Sequence, residues 1–159
     1  MPHSPDAILP ADPHDLERFV RAQAADYDRA LSELRAGSKR SHWMWYIFPQ
    51  LEGLGRSATA RRYALSSAAE ARAYLEHPVL GPRLRECASA VLGVHGRSAR
   101  EIVGSPDDLK LRSCATLFAS VSQDAVFGQL LEKYYGGQPD EETIRLLGSA
   151  RDRHGQGLR

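Results

Sequence analysis

The sequence predicts an all-α fold, a compact globule of seven or eight short helices, and three observations carry that prediction. Apolar residues recur at spacings of three and four, helix-capping residues stand just ahead of those stretches, and no segment alternates apolar with polar residues as a half-buried strand would. With 159 residues, 42% hydrophobic and 26% charged, the chain is also long enough to bury a core without metal or disulfide staples.

Residues 1 to 11 carry three prolines and read as a loose arm, residues 12 to 148 as a single helical domain, and residues 149 to 159 as a polar tail. Asp12 and Pro13 supply a capping side chain and a proline suited to the first helical position. Leu16, Phe19, Val20, Gln23, Tyr27, Leu31 and Leu34 then mark one face of a helix that Gly37 ends, because glycine takes the left-handed cap without strain. Residues 42 to 48 are aromatic all round and stop at Pro49. Periodicity leaves helix and strand both open there; a helix capped by Ser41 is preferred, since no second segment reads as a pairing strand. A proline and two glycines make residues 49 to 55 a defined loop.

Cap signals continue downstream. Ser57 opens a segment running to residue 64, and Ser67 with Glu70 forms an S-x-x-E capping box for a helix to Glu76. Pro78 suits the start of a helix through Leu80, Leu84, Cys87, Val91 and Leu92, ending near Gly93 and Gly96. Ser98 caps a short piece that stops at Gly104. Ser105, Pro106, Asp107 and Asp108 combine a cap, a first-position proline and two first-turn acids. Helices over 125 to 135 and 140 to 147 complete the count.

Composition excludes several classes of function. The 21 basic and 20 acidic residues leave a charge of +1, so no net field draws the molecule to nucleic acid or an anionic bilayer. Cys87 and Cys114 are too few for a disulfide framework and lack zinc-site spacing, so both are expected to be buried thiols. No signal segment and no long apolar run is present, which predicts a cytoplasmic protein without membrane attachment. The six histidines stand singly, and no P-loop, nucleophile elbow, zinc-helix, dinucleotide or RNA-binding signature occurs. No metal and no cofactor is expected, and oligomeric state is not fixed by the sequence.

Three segments could carry chemistry. Residues 39 to 50 gather both tryptophans, Tyr46 and Phe48 beside Lys39, Arg40 and His42. Either this is the centre of the core, or Trp43 and Trp45 form a wall on which a planar ligand stacks while Lys39, Ser41, His42 and Gln50 supply hydrogen bonds. In the second segment Asp108 and Arg112 lie four apart and Asp107 and Lys110 three apart. They would make surface ion pairs, or Asp108, Lys110 and Arg112 would face the same pocket. The third is a basic cluster, Arg56, Arg61 and Arg62 with Arg72, Arg83 and Arg85 beyond, read as a solvated face or a set of phosphate contacts.

The runs K-R-S-H-W-M-W-Y-I-F-P-Q-L, G-L-G-R-S, A-R-R-Y-A, H-P-V-L-G and S-P-D-D-L-K-L-R-S resemble a bacterial and fungal family catalogued as a domain of unknown function, some of whose members carry a calpastatin label. The resemblance spans about residues 12 to 147 and implies a compact all-α fold with no established activity. It does not imply an inhibitor of the calpastatin kind, which would be disordered and repetitive. A second, shorter likeness concerns residues 17 to 23, E-R-F-V-R-A-Q, which are similar to the E-H-Y-F-Q-A-Q segment of a helical superfamily acting on ADP-ribose conjugates. That likeness implies an N-glycosidase in which Glu17 stabilises oxocarbenium charge or activates water and a tryptophan stacks on the ligand. Apart from the likeness, His42 is a second candidate catalytic residue, and an enzyme of this kind would be a metal-independent hydrolase.

Two functions follow as alternatives. One is a pocket for a planar anionic ligand, a nucleotide or ADP-ribose derivative, with N-glycosidic cleavage. The other is a non-catalytic interaction domain whose aromatic segment is all core. The first requires an indole on an open cavity near a carboxylate; the second predicts both indoles buried.

Overall fold

A computed structural model describes residues 11 to 158. Among them are nine helices: α1 (Glu17–Arg35), α2 (Met44–Ile47), α3 (Ala58–Arg62), α4 (Ala68–Glu76), α5 (Leu80–Leu92), α6 (Ala99–Val103), α7 (Asp107–Val121), α8 (Ala125–Tyr135) and α9 (Glu141–Leu158). The all-α expectation holds. The expected N-terminal arm lies almost wholly outside the described residues, and the segment read as a polar tail continues the backbone of α9.

Helix α7 is the axle of the molecule. Leu111, Cys114, Ala115, Leu117 and Phe118 are all buried, and α4, α6, α8 and α9 pack around them. A helix enclosed on so many sides has to satisfy its own polar groups, and it does: the hydroxyls of Ser113 and Thr116 donate to the carbonyls of Leu109 and Arg112 at 3.1 and 2.8 Å. On the other side α1 lies against α5, and Phe19 meets Tyr74 of α4 edge-on with ring centroids 5.0 Å apart. Both cysteines are buried free thiols, as their apolar surroundings favour.

Capping residues follow the sequence reading closely in the middle of the chain and depart from it at three starts. Ser57 and Ser98 accept from the third residue of α3 and α6, and Ser98 makes a full capping box with Glu101. Gly37 and Gly136 close α1 and α8 with left-handed φ values of 72° and 61°. Asp12 caps α1 from farther back than expected, accepting from the amides of Leu16 and Glu17 at 2.8 and 3.1 Å across an intervening turn. Helix α7 begins one residue late, with Pro106 rather than Ser105 at its cap. Ser67 accepts from Glu70, but the reciprocal half of that box is missing because the Glu70 carboxylate is used elsewhere.

That carboxylate anchors the main polar clasp of the fold. Arg18 of α1 donates to Glu70 of α4 at 2.9 Å and to the carbonyls of Arg62, the last residue of α3, and Ala64, just beyond it, at 2.8 and 2.9 Å. Glu70 also accepts from the amide and hydroxyl of Ser66. Just ahead, Leu65 pairs with Leu51 as an isolated parallel bridge, its amide donating to the Gln50 carbonyl at 2.9 Å. The loop from Pro49 to Gly55 is thereby fixed against the rest of the molecule.

Candidate functional site

The two tryptophans have opposite fates. Trp43 is wholly buried, and its indole N–H donates to Glu33 of α1 at 2.9 Å. The same carboxylate accepts from the Ser41 hydroxyl at 2.6 Å and from the amides of Arg40 and Ser41 at 2.8 and 3.0 Å. Burial alone would raise the Glu33 pKa; the hydrogen bonds from Ser41, Arg40 and Trp43 outweigh it and hold the group at about 2. Ser41 is therefore an anchor for the turn into α2 and not its cap, and α2 is only four residues long with Trp43 at the cap position.

Lys39 lies on the inner side of this anchor. Its ammonium stands 5.0 Å from the Trp43 ring centroid, donates to the Ser41 carbonyl at 2.6 Å and pairs with Asp107 at 3.0 Å, with 9% of the side chain exposed. It holds the start of α7 to the aromatic segment, and its donors are directed inward. Asp107 is shared: Lys110, one turn along α7, approaches its other oxygen at 3.4 Å and also stands over the Trp45 ring, 5.4 Å from the centroid. Two ammoniums around one carboxylate leave a net positive charge behind this wall.

Trp45 and Lys110 open onto a cleft of about 440 Å³ between the 50–57 loop, α3 and the first turns of α7. Trp45, Gln50, Arg56, Leu109 and Lys110 supply its larger side chains, and Leu54, Pro106 and Ala60 the apolar remainder. That size falls within the range of about 300 to 1,000 Å³ usual for small-molecule sites. Leu109 forms a ledge at the rim, 57% exposed. The backbone is shaped to allow the loop so close: a side chain at Gly55 would place its Cβ 2.5 Å from that of Ala60.

The structure thus brings together Trp45, Gln50 and Lys110 of the residues singled out from sequence, and it separates the others. Trp43, Lys39 and Ser41 form the supporting network. His42 is exposed. Arg112 turns to the far side of α7, donating to the Gln138 carbonyl at 2.9 Å with its guanidinium over Tyr135, so the expected pairing with Asp108 is absent. Asp108 faces the same side; one of its carboxylate oxygens is buried without a hydrogen-bond partner, and the Tyr135 hydroxyl donates to its carbonyl at 2.6 Å. Burial, with the Asp108 charge nearby, pushes the Tyr135 phenol well above its ordinary pKa. Glu17 is exposed at the start of α1 and lines neither this cleft nor the small cavity beside it. Arg56, read as part of a solvated face or of a set of phosphate contacts, is exposed and lines the cleft. Glu33 went unrecognised as a network centre because Arg40, Ser41 and Trp43 meet it only once the chain turns back after α1, and Asp107 because its second partner, Lys39, comes from that same turn.

No group of three or more histidine, cysteine or carboxylate side chains is placed to hold a metal among the described residues, and no helix among them is long and apolar enough to cross a membrane.

The model of a family described as "Protein of unknown function (DUF1810)" matches residues 13–147. The crystal structure of the conserved hypothetical protein Rv1873 from Mycobacterium tuberculosis is similar, with 57% identity and a TM-score of 0.85 over 86% of this chain and 99% of that one. No curated protein matches the chain.

Proposed function

Because this chain belongs to the DUF1810 family, whose function is unknown, its role has to be read from its own cleft, and we propose that it binds a small planar anionic molecule by stacking it on Trp45. The observation that carries this reading is the half-buried Trp45 indole on an open cleft with the Lys110 ammonium 5.4 Å from its ring. An aromatic face supplies area and a cation beside it supplies charge, the pairing suited to a ring bearing phosphate or carboxylate. Lys110 is 27% exposed and its bond to Asp107 is longer than that of Lys39, so it can swing to an incoming anion while Lys39 continues to neutralise Asp107. Nucleotides and ADP-ribose derivatives are the ligands of this description to test first.

The reading is one of binding without turnover. N-glycosidic cleavage needs a carboxylate beside the developing oxocarbenium ion. The charged side chains lining this cleft are Arg56 and Lys110, and Glu17 and His42 stand away from it.

A nucleotide that binds the folded state alone raises its melting temperature by mass action, by about 2.7 kcal/mol of stability at a hundredfold excess over Kd. Lys110→Ala is expected to weaken that binding by about 1.5 to 3 kcal/mol, the size of a hydrogen bond to a charged group. Thermal-shift titration of wild type and variant with ADP-ribose, ADP and AMP checks both. Absence of any shift at millimolar concentration would reject the cleft as a nucleotide site and favour the interaction-domain alternative, with Leu109 as its exposed apolar contact.

A further inference from the structure

Within the cleft one polar group is fixed at its root and free at its tip. The Gln50 backbone is held by the hydrogen bond from Leu65 to its carbonyl, at 2.9 Å, and by the neighbouring bridge at Leu51. Gln50 lines both the main cleft and the small cavity beside it, as Trp45 does, and its side-chain carboxamide makes no hydrogen bond among the described residues. A carboxamide offers one donor and one acceptor side by side. On its N7 edge adenine presents the complementary pair, an N7 acceptor next to the N6 amino donor, whereas on that edge hypoxanthine and guanine present two acceptors, O6 and N7.

Charge lines the cleft farther along the same loop, at Arg56. The Arg56 carbonyl accepts twice from the Arg61 guanidinium, at 3.0 and 2.7 Å, so Arg61 is drawn to the base of Arg56 on the edge of the cleft. The Arg56 guanidinium itself has no partner among the described residues, and no carboxylate lines this part of the wall. A ligand with its ring on Trp45 and its tail toward the 56–61 rim would therefore carry phosphate there.

We infer that the cleft is selective for adenine nucleotides, with Gln50 reading the N7 edge of the base stacked on Trp45 and Arg56 holding the phosphate end. This inference rests on the stacking reading above and adds the identity of the ring and the direction of the ligand. Gln50 is a specificity determinant in it, and Arg56 an affinity determinant for charged ligands alone.

The test is calorimetric titration of the full chain with ADP, IDP and adenosine. Wild type is expected to bind ADP at least about tenfold tighter than IDP, the lower part of the range for a bidentate base contact. Gln50→Leu should bring the two affinities close together, and Gln50→Glu, which keeps the length and the acceptor but loses the donor, should also weaken ADP. Arg56→Ala should weaken ADP severalfold and leave adenosine unchanged. Equal affinity of wild type for ADP and IDP, or a preference that survives in both Gln50 variants, would overturn the inference while leaving stacking on Trp45 intact. If neither diphosphate nor adenosine binds wild type, the stacking reading itself fails and takes this one with it. Melting temperatures of the variants separate loss of binding from loss of fold.

Discussion

Arg18→Ala is expected to destabilise the protein by about 3 to 5 kcal/mol, the size seen when one partner of a buried ion pair is removed. Arg18 and Glu70 expose 13% and 4% of their side chains, so Glu70 would be left as a charge shielded from water with only the Ser66 donors to compensate. The same substitution strips donors from the carbonyls of His14, Asp15, Arg62 and Ala64. For a chain of this length that loss lowers Tm by about 10 °C or more. Urea unfolding of wild type and variant measures it, and a difference below about 1 kcal/mol would show that the clasp is not structural. Because two of the four carbonyls close α3, which carries Ala60 into the cleft wall, the variant is also expected to bind ligand more weakly than its residual fold would suggest.

Glu33→Gln is the second large effect, and it depends on pH. The wild-type carboxyl titrates at about 2 in the folded protein against an ordinary value of 4.5. A depressed carboxylate pKa contributes stability that is fully present above the unfolded value and is lost as pH falls through the folded one. Wild type should therefore lose about 2 to 3 kcal/mol from this group alone between neutral pH and the region near its folded pKa, somewhat less than the whole shift implies because the carboxylate is partly exposed. The variant should be weaker at pH 7, since a neutral amide oxygen replaces the carboxylate oxygen that accepts from Arg40, Ser41 and Trp43, and the amide NH2 faces the Ser41 hydroxyl, which donates in the wild type. Its stability should then fall less steeply with acid. Urea unfolding across the acid range compares the two slopes, and parallel curves would contradict the assignment.

How much of this was legible in the sequence follows from how local each determinant is. The helices were legible because caps and apolar spacing are relations among near neighbours: Ser57, Ser98 and Gly37 all do what their positions suggest. Helix starts moved where a distant partner competed. Ser41 was taken by Glu33 and half of the Ser67 box by Arg18 and Ser66, contacts no local pattern reveals. The aromatic segment showed that a site and a core both lie near residues 39 to 50, but not how they divide. That division depends on Glu33 reaching eight and ten residues along the chain to pull Trp43 inward while α7 leaves Trp45 at a surface. Asp108 and Arg112 have the spacing of a helical ion pair, yet the Gln138 carbonyl and the Tyr135 ring, just after and at the end of α8, take Arg112 and leave one Asp108 carboxylate oxygen without a partner. The short likeness at Glu17 carried no such information, since a first-turn acid satisfies the helix dipole wherever the active surface lies.

The central claim is that one indole faces a ligand and the other does not, and the two indole N–H resonances of the ¹⁵N-labelled protein report on it separately. On titration with ADP, the Trp45 signal is expected to shift progressively with saturation while the Trp43 signal, held by Glu33 at 2.9 Å in the core, stays in place. A Trp45 signal that does not move at millimolar ADP, or a shift confined to Trp43, would contradict the account.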